Sequence, residues 1–193
     1  TKQSPNRDLE IASQKPLAMT PVAFDFVESW HTQPRYIEAI ARNVQTALAQ
    51  LPSDAQVLFT AHTLPVSARE PYEAQLRATA QLIAAKLGLR ADRWMLCYQS
   101  KPRAPGDWLE PQIEQLVPEL ARAGTTNLVI APIGFVADHL EVLYDLDIAL
   151  QEIARANSVR VVRSPMLNDD DALVNALAEL VRSRITHHES RDP

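Results

Sequence analysis

The sequence predicts an α/β domain, a four-stranded parallel sheet with helices on both faces. Three observations lead there. Apolar runs of strand length recur at "QVLFTA" (56–61), "RWMLCYQS" (93–100), "NLVIAPIGF" (127–135) and "VRVVRSP" (159–165). Between them the apolar residues change to a 3.6-residue period over segments of helical length. Strand and helix alternate, and strands joined through helices are parallel, with right-handed crossovers.

The elements follow in order. Residues 1–21, polar and dotted with proline, read as a leader or inter-domain connection. "PVAFDFVESW" (21–30) alternates Val22, Phe24 and Phe26 with Ala23, Asp25 and Val27, which suits a short strand or an extended crossing segment. Pro34 opens a helix with Ile37, Ile40, Val44 and Leu48 on its inner face, and "LPSD" (51–54) closes it. After the first long apolar run, a helix from about Pro71 turns Leu76, Ala80, Ile83 and Leu87 inward and stops at Gly88. The second run leads through "KPRAPGDW" to a helix over Leu109–Ala123, with Pro118 inside it and Gly124 after it. The third leads to a helix from Asp138 to about Ala156, with Val142, Leu143, Leu146, Leu150 and Ile153 on its apolar side. After the fourth, Asn168 is expected to cap a helix whose first turn holds "DDD" and whose Leu173, Val174, Leu177, Leu180 and Val181 face inward. "THHESRDP" (186–193) reads as a solvated tail, its His187 and His188 frayed rather than metal-binding. One domain over residues 22–185 is therefore expected, Rossmann-like in its layering.

Composition excludes several function classes. A chain of 193 residues, 46% hydrophobic, can bury a substantial core. A formal net charge of −5 offers no cationic face to a nucleic acid. Apolar runs fall far short of the roughly 20 residues that span a bilayer, so the cytoplasm is the expected location. The single cysteine, Cys97, allows neither a disulfide framework nor a thiolate metal cluster and reads as buried packing. Four glycines, at 88, 106, 124 and 134, leave no glycine-rich phosphate loop, so no nucleotide cofactor is expected.

Ligands of open α/β sheets bind outside the carboxyl ends of the strands. Those ends carry "TAHTLP" (60–65), "YQSKP" (98–102), "GFVADHLE" (134–141) and "RSPMLN" (163–168). On an α-helix, Asp138, Glu141 and Asp145 fall within about 60° of one another, about 5.4 Å apart per turn, as one acidic stripe away from the apolar side. Their ordinary reading is an Asp-x-x-Glu capping box with Asp145 in water. The like charges cost about 0.2–0.5 kcal/mol per pair, which a bound cation would offset. His62 is ordinarily a hydrogen-bonded structural residue. It nevertheless follows an apolar strand and precedes Pro65, so a stiff support would aim it into the crevice. Imidazole beside hard carboxylates suits a borderline divalent metal such as ferrous iron, and also proton transfer near neutral pH.

At these residues the sequence resembles the ferrochelatase family. "FTAHTLPVSAREPYEAQL" resembles its Ser-Ala-His-x-Leu-Pro strand end with Pro-Tyr soon after, and "CYQSKPRAPGDWLEP" its aromatic-Gln-Ser-Lys loop. "APIGFVADHLEVLYDLD" is similar to its Asp-His-x-Glu-x-Leu-Tyr signature, and "VESWHTQPRYIEAI" to a Ser-Trp-x-x-x-Pro segment of bacterial members. The resemblance runs in family order over about residues 22–182. It implies a three-layer chelatase domain and a lyase-type enzyme that inserts ferrous iron into a porphyrin, protoporphyrin IX or coproporphyrin III, in haem biosynthesis. His62 and Glu141 would be the catalytic pair, His62, Glu141 and Asp145 the metal contacts, and Gln99, Ser100 and Lys101 a border to the macrocycle. His139 is expected to make structural hydrogen bonds. Iron is expected as substrate, with no iron-sulfur cluster because no C-terminal cysteine cluster is present. Ala149 stands where many members continue the acidic line. Family chains carry two α/β domains, so the expectation is the C-terminal half of a longer chain, its N-terminal half a missing partner. A cobalt or nickel chelatase and a non-catalytic porphyrin-binding module are the alternatives. The family also allows peripheral membrane contact, which no basic amphipathic helix here supports.

Overall fold

In the computed structural model, which describes residues 26–189, nine regular elements matter for the site, and a wide helical segment joins them. They are α1 Pro34–Leu48, β1 Gln56–His62, α2 Tyr72–Lys86, β2 Trp94–Gln99, α3 Ile113–Arg122, β3 Asn127–Pro132, α4 Leu150–Ala156, β4 Arg160–Arg163 and α5 Asp171–Glu189, with a π-helix over Val142–Ala149 before α4. The expected leader lies outside the described residues, as does the first part of the strand expected at 21–30. Residues 26–30 form no strand.

The sheet has the order β2-β1-β3-β4 with every pairing parallel. The alternation of runs therefore predicts the architecture. β1 and β3 lie in the middle and are buried along nearly their whole length, as expected of strands covered on both faces. One core packs α1, α2 and the start of α5 against the sheet through Val44, Phe59, Ile83, Val129 and Leu173. The other packs α3, the π-helix and α4 through Leu58, Ile113, Val117, Leu128, Leu146 and Leu150. Cys97 sits fully inside the second core, and burial pushes its thiol up.

Because β1 leads to β2 while its other neighbour β3 leads to β4, the chain leaves adjacent strands in opposite directions. Such a reversal is where open α/β sheets hold a ligand crevice. Gly134, just past β3, lies against β1: a Cβ there would stand 2.5 Å from Ala61 Cβ and 2.8 Å from Ala61 Cα. Without one, Gly134 N–H reaches Thr60 O at 3.1 Å.

Several boundaries differ from expectation. The helix expected from Leu109 begins at Ile113, because the chain before it is used in pairing: Leu109 N–H binds Leu64 O at 2.9 Å and Tyr98 N–H binds Pro111 O at 2.8 Å. Asn168 does not cap α5. Asp170 does, its Oδ1 accepting from Ala172 N–H at 2.7 Å. On α5, Leu173 is buried as expected, whereas Val174, Leu177 and Val181 are exposed. The same helix runs to Glu189, into the stretch read as tail.

The helix expected from Asp138 is the largest departure. Helical turns begin at Leu140, after which the coil widens, Leu150 N–H bonding Asp145 O five residues back. In an α-helix a four-residue step overshoots a full turn by about 40°, so a four-residue repeat drifts around the axis. Wider turns remove that drift. Val142, Leu146, Leu150 and Ala154 consequently all stay fully buried, while Leu140, Tyr144 and Ile148 form an exposed column on the opposite side at 79%, 55% and 50%. Leu143, expected on the apolar side, is exposed.

Candidate functional site

His62 ends β1 and Glu141 lies in the first turn after the β3 crossover. Each is placed by an element that the apolar runs define. His62 Nδ1 lies 3.0 Å from Glu141 Oε2. A carboxylate offers only acceptors, so this bond puts the hydrogen on Nδ1 and leaves Nε2 as the basic nitrogen. Both side chains remain solvent-accessible, at 31% and 48%. The backbone under His62 is pinned as well, since Tyr72 donates its hydroxyl to His62 O at 2.9 Å. Burial pushes the Tyr72 phenol up to about 12, so it stays a donor at working pH.

The three acids expected as one stripe part company. Glu141 meets His62. Asp145 accepts from the Ser100 hydroxyl, at the end of β2. Asp138 turns to the end of β4, pairing with Arg163 at 3.1 Å and receiving Asn168 Nδ2 at 2.9 Å. The capping box does not form, because Asp138 is taken by these partners and Glu141 N–H donates instead to His139 Nδ1 at 3.3 Å. That bond, and the edge-on contact of His139 with Phe135 at 4.5 Å, give His139 the structural part expected of it. Among the described residues no group of three or more His, Cys, Asp or Glu side chains converges to hold a metal ion.

The loop after β2 divides. Gln99 does not border the crevice, because it is fully buried and its Oε1 accepts from Thr60 Oγ1 at 2.8 Å inside the sheet. Ser100 adopts φ 62, a left-handed conformation uncommon outside glycine, and thereby swings its hydroxyl towards Asp145. Lys101 stands at the exposed rim, paired with Glu110 at 2.7 Å.

Two groups near these acids went unread in the sequence. Glu114, in the first turn of α3, is half-buried. Burial pushes its carboxyl above the ordinary range, Asp145 and Glu110 add to the rise, and the backbone N–H groups of Glu114 and Ser100 offset part of it. Arg163 donates Nε and Nη2 to the two oxygens of Asp147 at 2.7 and 2.9 Å. The strand-end rule did point to "RSPMLN", yet nothing local assigns Arg163 its partners.

A cavity of about 270 Å³ opens at the same end of the sheet. Trp30, His31, Tyr36, Ile133 and Phe135 are among its walls, with Trp30 and Tyr36 packed edge-on at 4.9 Å. His62 and Glu141 do not line it, although Gly134, against the strand that carries His62, does.

A family model described as "Ferrochelatase" matches residues 1–185. The chain is 38% identical over 170 residues to "Ferrochelatase" of Deinococcus radiodurans, covering 84% of this chain and 54% of that protein. It is 40% identical over 168 residues to "Ferrochelatase" of Thermus thermophilus, covering 84% and 52%. It is 35% identical over 167 residues to "Coproporphyrin III ferrochelatase" of a Geobacillus species, covering 82% and 53%. The chain spans about half the length of the curated relatives it matches.

Proposed function

We propose, from the premise that this chain belongs to the ferrochelatase family, that it is the C-terminal half of an enzyme that inserts ferrous iron into a porphyrin in haem biosynthesis. The observation that carries the reading is the pairing of His62 with Glu141 at 3.0 Å, solvent-accessible beyond the carboxyl ends of β1 and β3. Insertion exchanges two pyrrole N–H protons for one divalent ion, so the protein must both accept protons and present the metal to the macrocycle. His62 Nε2 is the ring nitrogen free to accept a proton, and Glu141, bonded to the other ring nitrogen, stabilises the imidazolium formed when Nε2 takes one. The same Nε2 is the softer donor, and the Glu141 carboxylate the harder one, of a pair suited to handing on ferrous iron.

Asp145 continues the path one turn along the π-helix and is held by Ser100. It would receive protons or metal leaving the first pair. Lys101, exposed and paired with Glu110, would exchange that partner for a substrate carboxylate. Gln99 acts from inside, keeping the β2 end registered against Thr60. The names of the relatives favour iron over cobalt or nickel, and one of them favours coproporphyrin III. The missing N-terminal half would supply the other wall of the porphyrin site.

The test is turnover of ferrous iron with protoporphyrin IX and with coproporphyrin III, followed by the absorbance of the metalated product, in the longest natural form of the chain. Metalation by the wild type, lost in Glu141→Gln, is the expected result. Near-normal turnover by that variant rejects the reading.

A further inference from the structure

Glu141 can serve a reaction only while it is held opposite His62, and its own helix supplies little of that hold. No side chain caps the π-helix at its start, and the bond from Glu141 N–H to His139 is long at 3.3 Å. A widened coil also lacks the regular i to i−4 bonding that stiffens an α-helix.

The hold comes from the far edge of the sheet. Arg163, at the end of β4, uses one guanidinium for two carboxylates: both oxygens of Asp147, after Glu141, at 2.7 and 2.9 Å, and Asp138, before it, at 3.1 Å. Its side chain is only 16% exposed, so water competes little for those contacts. Asn168 completes the grip. At φ 51 its side chain turns back over the crossover, Oδ1 accepting from Asp138 N–H at 2.8 Å and Nδ2 donating to Asp138 Oδ2 at 2.9 Å. Its own N–H reaches Val136 O at 2.9 Å. The segment that carries Glu141 is thus clamped on both sides of that residue by a loop that touches neither His62 nor Glu141.

We propose that Arg163 and Asn168 are positioning residues for the reaction: they fix the crossover and the π-helix so that the Glu141 carboxylate stays opposite His62. The planar fork of Arg suits this role because it orients two carboxylates at once, which the single ammonium of Lys cannot do. The proposal rests on the chelatase reading of Glu141.

The test compares Asn168→Gly, Arg163→Lys and Glu141→Gln in the longest natural form of the chain, measuring kcat and KM with ferrous iron and porphyrin alongside thermal unfolding. Glycine adopts the left-handed backbone of position 168 freely, so Asn168→Gly removes the side-chain bonds without straining the turn. Supports of a reacting group cost about 10–100-fold when lost, so kcat of Asn168→Gly should fall at least about tenfold while KM for the porphyrin changes by less than about twofold. Arg163→Lys should also lose kcat, with its melting temperature near that of the wild type. A purely structural part would lower the melting temperature and leave kcat per folded molecule unchanged. If both folded variants keep wild-type kcat while Glu141→Gln is inactive, the positioning proposal is overturned and the chelatase reading stands. If Glu141→Gln itself turns over normally, that reading fails and takes the proposal with it.

Discussion

Nδ1 of His62 lies 3.0 Å from Oε2 of Glu141, although the two residues are 79 positions apart in the chain. If one residue takes the proton and the other supports it, removing either should cost about 10²-fold or more in metalation rate. The double variant His62→Ala/Glu141→Gln should be little worse than the poorer single one, since residues that act as a unit are strongly non-additive. Multiplying losses, measured as kcat/KM of the three proteins, would separate the two residues into independent functions.

Gly134 lets the end of β3 lie against β1. Gly134→Ala places a methyl 2.5 Å from Ala61 Cβ, with backbone behind it that cannot rotate away. A stability loss of about 1–3 kcal/mol by denaturant unfolding is expected, as for other overpacked sites. A neutral result would mean that the two strand ends are not in that close contact.

The widened turns make a prediction about neighbouring apolar residues. Leu146→Ala empties a fully buried site and should cost about 2–5 kcal/mol, whereas Leu140→Ala, on the exposed column, should stay within about 0.5 kcal/mol. Equal losses at the two positions would contradict the four-residue columns of the π-helix.

Glu114 should give stability a distinctive pH dependence. Its carboxyl is raised in the folded chain, so the folded state binds that proton more tightly than the unfolded state does. Its contribution is then fully present below the ordinary carboxylate value and is lost as pH rises through the folded one. Glu114→Gln should raise the melting temperature at pH 7, and the gain should shrink as pH falls towards the ordinary carboxylate value of about 4.3, below which it is gone. Melts across that range would detect it, and a gain that grows on acidification has the wrong sign.

The sequence by itself determined the parallel sheet and the two helical layers, because the period of apolar residues assigns each segment and the crossover rule brings the strand ends "TAH" and "GFVADHLE" to one end of the sheet. Local chemistry offered His62 three acids, and only the family resemblance singled out Glu141 among them. Tertiary structure decided where the remaining polar groups went. Asp138 had a local offer, the helix N–H groups of a capping box, and a distant one, the guanidinium of Arg163 with the amide of Asn168. The distant partners won, and the acidic stripe came apart. Gln99 has the chemistry of a site residue, yet its side chain is buried against Thr60. The π-helix likewise has no local signature in propensity, because its wide turns arise from keeping Val142, Leu146, Leu150 and Ala154 on one buried line. Periodicity reports which face of an element is apolar, whereas the choice among competing hydrogen-bond partners depends on which groups the folded chain brings within about 3 Å.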